Sequence, residues 1–166
     1  MRAPRYEQFV KGLIEANQPA AIASVQTFAE AGHTEDPRGV KIGLSTGSAV
    51  YLRFNHGSPP AGDNFTAPEK IVEGEAPTPV PQPALEVRGG KVTMVDLEQW
   101  LAALIVNSGS AEVRKVTTYS TREKPRSYVL GFNVLWHNGG EAYAAIIHTQ
   151  PAGRGLRSDL TLAEAV

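Results

Sequence analysis

The stretch that decides the fold is residues 111–150, AEVRKVTTYSTREKPRSYVLGFNVLWHNGGEAYAAIIHTQ. It contains three segments in which apolar and polar residues alternate, the pattern of strands with one buried face. A basic turn at 122–126 separates the first two segments, and a Gly-rich turn separates the second from the third. The second segment has a strongly apolar face, made of Tyr128, Leu130, Phe132, Val134 and Trp136. We therefore predict three consecutive antiparallel strands on which the rest of the sheet is built.

The Gly-rich turn sets the predicted register of the last two strands. Asn138-Gly139 is a strong signal for a two-residue type I′ hairpin, because both central residues must take a positive φ. This turn would place His137 opposite Gly140 and His148 opposite Val129. The two histidines would then lie roughly 35 Å apart, at ~3.3 Å per residue, which excludes a shared metal or proton relay within one chain.

Three segments have helical periodicity. Residues 4–17 repeat apolar side chains at spacings of three and four, and Pro4 suits a first helical turn. Residues 19–31 show a similar pattern, as a second helix or as the end of a kinked one. The best-capped helix spans Thr93 to Ser108. Its predicted apolar face consists of Leu97, Trp100, Leu101, Leu104 and Ile105. Asp96 and Glu98 lie in its first turn and point in different directions, so joint acid and base catalysis is not expected.

The remaining segments predict hairpins and a long connection. In residues 40–54 a three-residue loop at 46–48 would pair Val40 with Phe54 and Ile42 with Leu52. Seven of the twelve prolines fall between Pro59 and Pro83, which predicts an extended connection or arm at about 57–87. Within it, Thr66 and Glu69 have the spacing of a capping box, which predicts a short helix at 68–73. A short strand or hairpin is expected at 85–95, turning at Gly89-Gly90.

These elements predict one α+β domain over residues 1–166. We expect a mainly antiparallel sheet of about five to seven strands in hairpins, packed against an N-terminal helical segment and one central helix. A short C-terminal tail follows at about 151–166, for which disorder is one alternative. The length and a hydrophobic content of 42% suffice for one core.

Composition excludes several kinds of site. The chain has no cysteine, which rules out disulfides, thiolate metal ligands and a cysteine nucleophile. The net charge of -1 gives no overall attraction to nucleic acid or anionic membrane. With no apolar run of membrane-spanning length, a cytoplasmic protein without membrane partners is expected. The abundance of Arg, Ala, Gly and Pro favours a GC-rich bacterial genome.

No motif for catalysis, a cofactor or a metal is present, so no cofactor is expected. Our first hypothesis is a non-enzymatic binding or assembly module that acts through contacts with an unknown protein partner or by self-association. The alternative is a nucleic-acid or phosphate-binding protein that uses the basic turn. Its predicted contact residues are Arg114, Lys115, Arg122, Lys124 and Arg126. The second alternative is a small cofactor-free hydrolase or isomerase with a pocket formed by His56, Asp63 and His148.

A weak internal sequence similarity links the segments that follow His56 and His148. Both His56 and His148 end a predicted strand and are followed closely by Pro-Ala-Gly, at 60–62 and 151–153. Duplication of a helix-plus-hairpin unit would explain this similarity, although the identity covers four positions only. Under that hypothesis the two histidines are related by pseudo-symmetry and lie near one another.

Overall fold

The computed structural model describes residues 1–123, 129–155 and 162–166. Its helices and strands, in chain order, are α1 (Ala3–Ala16), β1 (Ile22–Thr27), β2 (Gly39–Leu44), β3 (Ala49–Gly57), α2 (Met94–Val106), β4 (Val113–Thr118), β5 (Gly131–Trp136) and β6 (Glu141–Gln150). The six strands form one antiparallel sheet in the order β1-β2-β3-β6-β5-β4. The predicted α+β class, with an N-terminal and a central helix on an antiparallel sheet, is confirmed.

The core lies between the sheet and the two helices. Both helices contribute to one continuous cluster of buried apolar side chains, together with the inward-facing residues of all six strands. The predicted face of α2 is buried as expected, and its N-cap is Thr93, whose hydroxyl accepts from the N–H of Asp96 at 3.1 Å. In β5, Phe132, Val134 and Trp136 are buried. No helix in the described ranges is long and apolar enough to cross a membrane.

The chain contains a structural repeat. One helix followed by a three-stranded meander occurs twice, at 3–57 and at 94–150, and the two meanders join where β3 pairs with β6. Equivalent residues are 91 positions apart in the helix and first strand, and 92 apart in the second and third strands. The first strand of each repeat has its register shift at the same place, between Ile22 and Ser24 and between Val113 and Lys115.

Buried glutamates and strand glycines also correspond. Gly39 opens β2 and Gly131 opens β5, and both have a positive φ. A Cβ at Gly39 would overlap the carbonyl oxygen of Leu52, and one at Gly131 would overlap that of Ala144. In each repeat a helix glutamate accepts from this glycine N–H: Glu7 at 2.9 Å in the first and Glu98 at 2.7 Å in the second. His56 and His148 occupy equivalent positions in this repeat. The Pro-Ala-Gly segments that follow them are offset by one residue, because Pro59, not Pro60, is equivalent to Pro151.

The predicted second helix at 19–31 is wrong, because this segment contains β1. The register shift between Ile22 and Ser24 breaks the alternation of the strand. As a result Ile22 and Val25 both face the core at a spacing of three, which is also a helical spacing.

Both predicted hairpin registers are wrong, because in each hairpin the loop begins one residue earlier than predicted. In the first, the three-residue loop occupies 45–47, so Val40 pairs with Leu52 and Ile42 with Val50. In the second, the loop is 137–139, and the N–H of Trp136 donates to the carbonyl of Gly140 at 2.9 Å. Gly139 has a positive φ of 81° but Asn138 does not, so a type I′ turn does not form.

Residues 58–93 connect the repeats without forming a named helix or strand. The predicted helix at 68–73 is wrong: the carboxylate expected to cap it, that of Glu69, instead accepts from the N–H of Arg2 at 2.7 Å. The turn at Gly89-Gly90 is confirmed, with φ values of 57° and 75° and an isolated bridge between Arg88 and Lys91.

Candidate functional site

The structure brings two of the three predicted pocket residues together. His56 and Asp63 line a cavity of about 160 Å³ beside Arg2. The guanidinium of Arg2 donates to both carboxylate oxygens of Asp63, at 2.9 and 2.8 Å, and this pairing lowers the pKa of Asp63. Burial lowers the pKa of His56, whose Nδ1 is buried without a hydrogen-bond partner. The acid is thus paired with Arg2 and is not arranged to orient the histidine.

His148 lies elsewhere. It pairs with Tyr51 across β3 and β6, whereas His56 pairs with Ala142 further along the same two strands. The two pairs are five positions apart along β3, which places the histidines about 17 Å apart along the strands. They occupy equivalent repeat positions, but the predicted proximity is wrong. Among the described residues no three or more His, Asp or Glu side chains are grouped to hold a metal.

The predicted basic contacts are only partly described. Arg114 and Lys115 lie on β4 and are exposed. Arg122 stacks on the ring of Tyr119, with its guanidinium carbon 3.5 Å from the ring centroid. Lys124 and Arg126 lie outside the described residues. Because Arg122 covers one face of Tyr119, that face is not available to stack a nucleic-acid base.

An apolar groove of about 500 Å³ lies beside β4, which is an edge strand of the sheet. One wall is α2, and the other is the Pro-rich segment, residues 77–83. Two hydrogen bonds, at 2.8 and 2.9 Å, join Val80 of this segment to Asn107, the C-cap residue of α2. The residues that make the groove apolar are Val80, Pro81, Pro83, Ala102, Val106 and Val116.

The edge of β4 has backbone groups directed away from the sheet. The N–H of Tyr119 donates to the carbonyl of Gly131 at 2.8 Å, so Tyr119 faces β5. Because successive residues of a strand point their N–H and C=O groups to opposite sides, those of Val116 and Thr118 face outward. The hydroxyl of Thr121 donates to the carbonyl of Thr118 at 3.3 Å. An extended chain can therefore meet the outward groups of Val116 and the N–H of Thr118.

The equivalent edge of the first repeat is closed. The N–H of Thr27, equivalent to that of Thr118, donates to the carboxylate of Glu30 at 2.7 Å. The ammonium of Lys11 holds Glu30 at 2.7 Å and lies 3.7 Å from Glu15. The hydrogen bond from Lys11 lowers the pKa of Glu30, so this acid stays charged at neutral pH. These three charged side chains, Lys11, Glu15 and Glu30, form an ionic cluster at the helix and turn positions that flank β1.

The residues equivalent to this ionic cluster are small or apolar in the second repeat. Ala102 corresponds to Lys11, Val106 to Glu15 and Thr121 to Glu30. Charged side chains are a common protection of edge strands against pairing with other chains. The same fold therefore has one edge, β1, covered by an ionic cluster and one edge, β4, that lacks such a cluster and carries Arg114 and Lys115 instead.

Sequence reasoning missed Glu98 as a structural centre. Its side chain is fully buried and accepts hydrogen bonds from the N–H groups of Tyr119, Ser120 and Gly131, and from the hydroxyl of Ser120. The available signal was the repeat itself: Glu7-Gln8 and Leu13-Ile14 recur 91 residues later as Glu98-Gln99 and Leu104-Ile105. The open edge of β4 is visible only after this alignment.

No protein-family model matches the chain, and neither the curated proteins nor the solved structures contain a match. Its function must therefore be inferred from its own residues.

Proposed function

We propose that this protein is a non-enzymatic binding module that acts through protein–protein contacts, and that its binding site is the β4 edge with the adjoining groove. One observation carries the proposal: the ionic cluster that closes the β1 edge is replaced, at the equivalent helix and turn positions beside β4, by Ala102, Val106 and Thr121. The separation of His56 from His148 is consistent with a role that does not use them as a catalytic pair.

The geometry favours an extended partner segment. Strand addition supplies main-chain hydrogen bonds, and every second side chain of the added strand enters a neighbouring pocket. The outward groups of Val116 and Thr118 supply the backbone contacts. The apolar walls formed by α2 and the Pro-rich segment receive the alternate side chains.

The test transfers the closed edge of the first repeat onto the second. A closed-edge variant carries Ala102→Lys, Val106→Glu and Thr121→Glu. The wild type and this variant are each used to select from a displayed library of random twelve-residue peptides. We expect families of sequences that bind the wild type and lose at least tenfold in affinity on the variant.

Two controls make the result decisive. Val106→Glu alone is the milder variant if the triple variant fails to fold, as judged by near-ultraviolet circular dichroism. The reverse variant, with Lys11→Ala, Glu15→Val and Glu30→Thr, must still bind the selected peptides. Selection of no peptide that depends on the groove would overturn the proposal, as would peptides that bind the folded closed-edge variant equally well.

A further inference from the structure

The charges at the β4 edge define a more specific partner than the groove alone. This inference rests on the proposed function of the same site. Arg114 and Lys115 are both exposed, and Lys115 also lines the groove. In the part of the chain that the structure describes, neither side chain has an acidic group within ion-pair distance. Among the described residues, these two adjacent cations at the N-terminal end of the edge strand therefore have no acidic partner.

The first repeat again provides the comparison. Ala23 and Ser24 occupy the positions equivalent to Arg114 and Lys115, so the edge that the ionic cluster closes carries no charge there. The β4 edge, which lacks the cluster, carries two positive charges there, those of Arg114 and Lys115. On β4, two cations without an acidic partner among the described residues thus occur together with an edge that lacks the ionic cluster; β1 has neither feature.

We infer that the occupant of the groove is an extended acidic segment of another protein. Its alternating side chains are small or apolar where they enter the groove, and its Asp or Glu residues lie beside Arg114 and Lys115. If the segment runs antiparallel to β4, the acidic residues are at its C-terminal end; if it runs parallel, they are at its N-terminal end. Charge complementarity of this kind speeds association and excludes partners of the wrong charge.

A second copy of this chain fits the same edge poorly. Antiparallel pairing of two β4 strands about Val116 would set Lys115 of each copy opposite Thr117 of the other. Arg114 and Lys115 of both copies would then lie along one short strand pair. Lys115 of one copy would lie diagonal to Lys115 of the other, roughly 7 to 8 Å away, and their like charges would repel. The charge pattern therefore favours a different, acidic chain over self-association.

The experiment repeats the peptide selection with a charge-reversed variant, Arg114→Glu with Lys115→Glu, beside the wild type. We expect groove-dependent peptides selected on the wild type to carry Asp or Glu near one end, and those selected on the variant to carry Lys or Arg there. Neutralisation by Arg114→Gln with Lys115→Gln should weaken a selected acidic peptide by about 2-fold to 30-fold at low salt, with a smaller loss at high salt.

Failure of this inference and failure of the proposed function give different results. Groove-dependent peptides without acidic bias, or an unchanged bias on the charge-reversed variant, would overturn the acidic partner and leave the binding groove standing. If no peptide depends on the groove, both fail. A twenty-nucleotide single strand that binds the wild type more tightly than the best acidic peptide, and loses binding on the neutralised variant, would assign the two cations to nucleic acid instead.

Discussion

Glu98→Ala removes the acceptor that holds the end of β4 to the beginning of β5. The carboxylate accepts from Tyr119 at 3.0 Å, from Gly131 at 2.7 Å and from Ser120 at 3.1 Å, all through backbone N–H groups. Tyr119 and Gly131 are buried residues, whereas Ser120 is exposed. After the substitution, water can replace the acceptor for Ser120, and the N–H of Tyr119 keeps its second acceptor, the carbonyl of Gly131 at 2.8 Å. The buried N–H of Gly131 loses its partner inside the protein.

The expected magnitude follows mainly from the N–H of Gly131, with a smaller contribution from the hydrogen bond that Tyr119 loses. A buried donor left without a partner costs about 1 to 3 kcal/mol, and the lost hydrogen bond from Tyr119 adds about 0.5 to 1.5 kcal/mol, so Glu98→Ala should lower the free energy of unfolding by about 1.5 to 4.5 kcal/mol. Glu7→Ala is the matched control from the first repeat. Glu7 accepts from one buried N–H, that of Gly39, and from the side chain of Arg38, which is 42% exposed. Its loss should cost about 1 to 3 kcal/mol.

Urea denaturation, followed by the fluorescence of Trp100 and Trp136, measures both variants. Glu98→Gln belongs in the same series, because it keeps the size of the side chain while placing a donor beside one or more of the three N–H groups. Its free energy of unfolding should lie between those of the wild type and Glu98→Ala. A loss for Glu98→Ala below about 1 kcal/mol, or no greater than that for Glu7→Ala, would refute this account of the buried acceptor.

Three further predictions use urea denaturation, and a fourth uses near-ultraviolet circular dichroism. Leu101→Ala removes a side chain that is 1% exposed and should cost about 2 to 5 kcal/mol; a loss under about 0.5 kcal/mol would show that the wrong face of α2 was assigned to the core. Gly131→Ala should destabilise because its Cβ would meet backbone, whereas Gly12→Ala, in open space within α1, should stabilise by about 0.5 to 1 kcal/mol; equal effects would contradict this. Because burial lowers the pKa of His56, the unfolded chain takes up its proton first as the pH falls, so stability should decline below about pH 6.5, and His56→Gln should reduce that decline. Replacing residues 77–83 by a Gly/Ser linker of equal length should leave the fold intact, and a molten near-ultraviolet spectrum would instead make this segment part of the core.

The parts of the fold that sequence predicted are those in which local signals agree with packing. In α2 the cap at Thr93 and the apolar face both predict the helix, and the alternation of 111–150 is clearest in β5. The segment at 19–31 failed because the register shift in β1 gives Ile22 and Val25 a helical spacing. A strand that contains a bulge cannot be distinguished from a short helix by periodicity alone.

The hairpins failed for a related reason. Composition indicated that Gly47 and Gly139 lie in turns, but not which loop position each occupies. Both take a positive φ at the third position of a three-residue loop, and a shift of one residue there changes every pair in the strands. The repeat would have predicted that both hairpins share one loop type.

The candidate site was even less accessible to sequence reasoning. Arg114 and Lys115 were identified, but as phosphate contacts beside a basic turn. Their position on an edge strand depends on the pairing of β3 with β6, which places β4 at the end of the sheet. The groove depends in addition on the Pro-rich segment, whose contact with Asn107 links residues 27 positions apart. Such contacts leave no periodic signal in the chain.

The most direct test of the β4 edge is an amide chemical-shift map of the protein with a peptide selected on the wild type. Strand addition at this edge predicts large shifts and slowed hydrogen exchange for the amides of Val116 and Thr118, while those of Val25 and Thr27 on the closed edge stay unchanged. Equal changes on both edges, or changes confined to the cavity beside His56, would contradict the binding module proposed here.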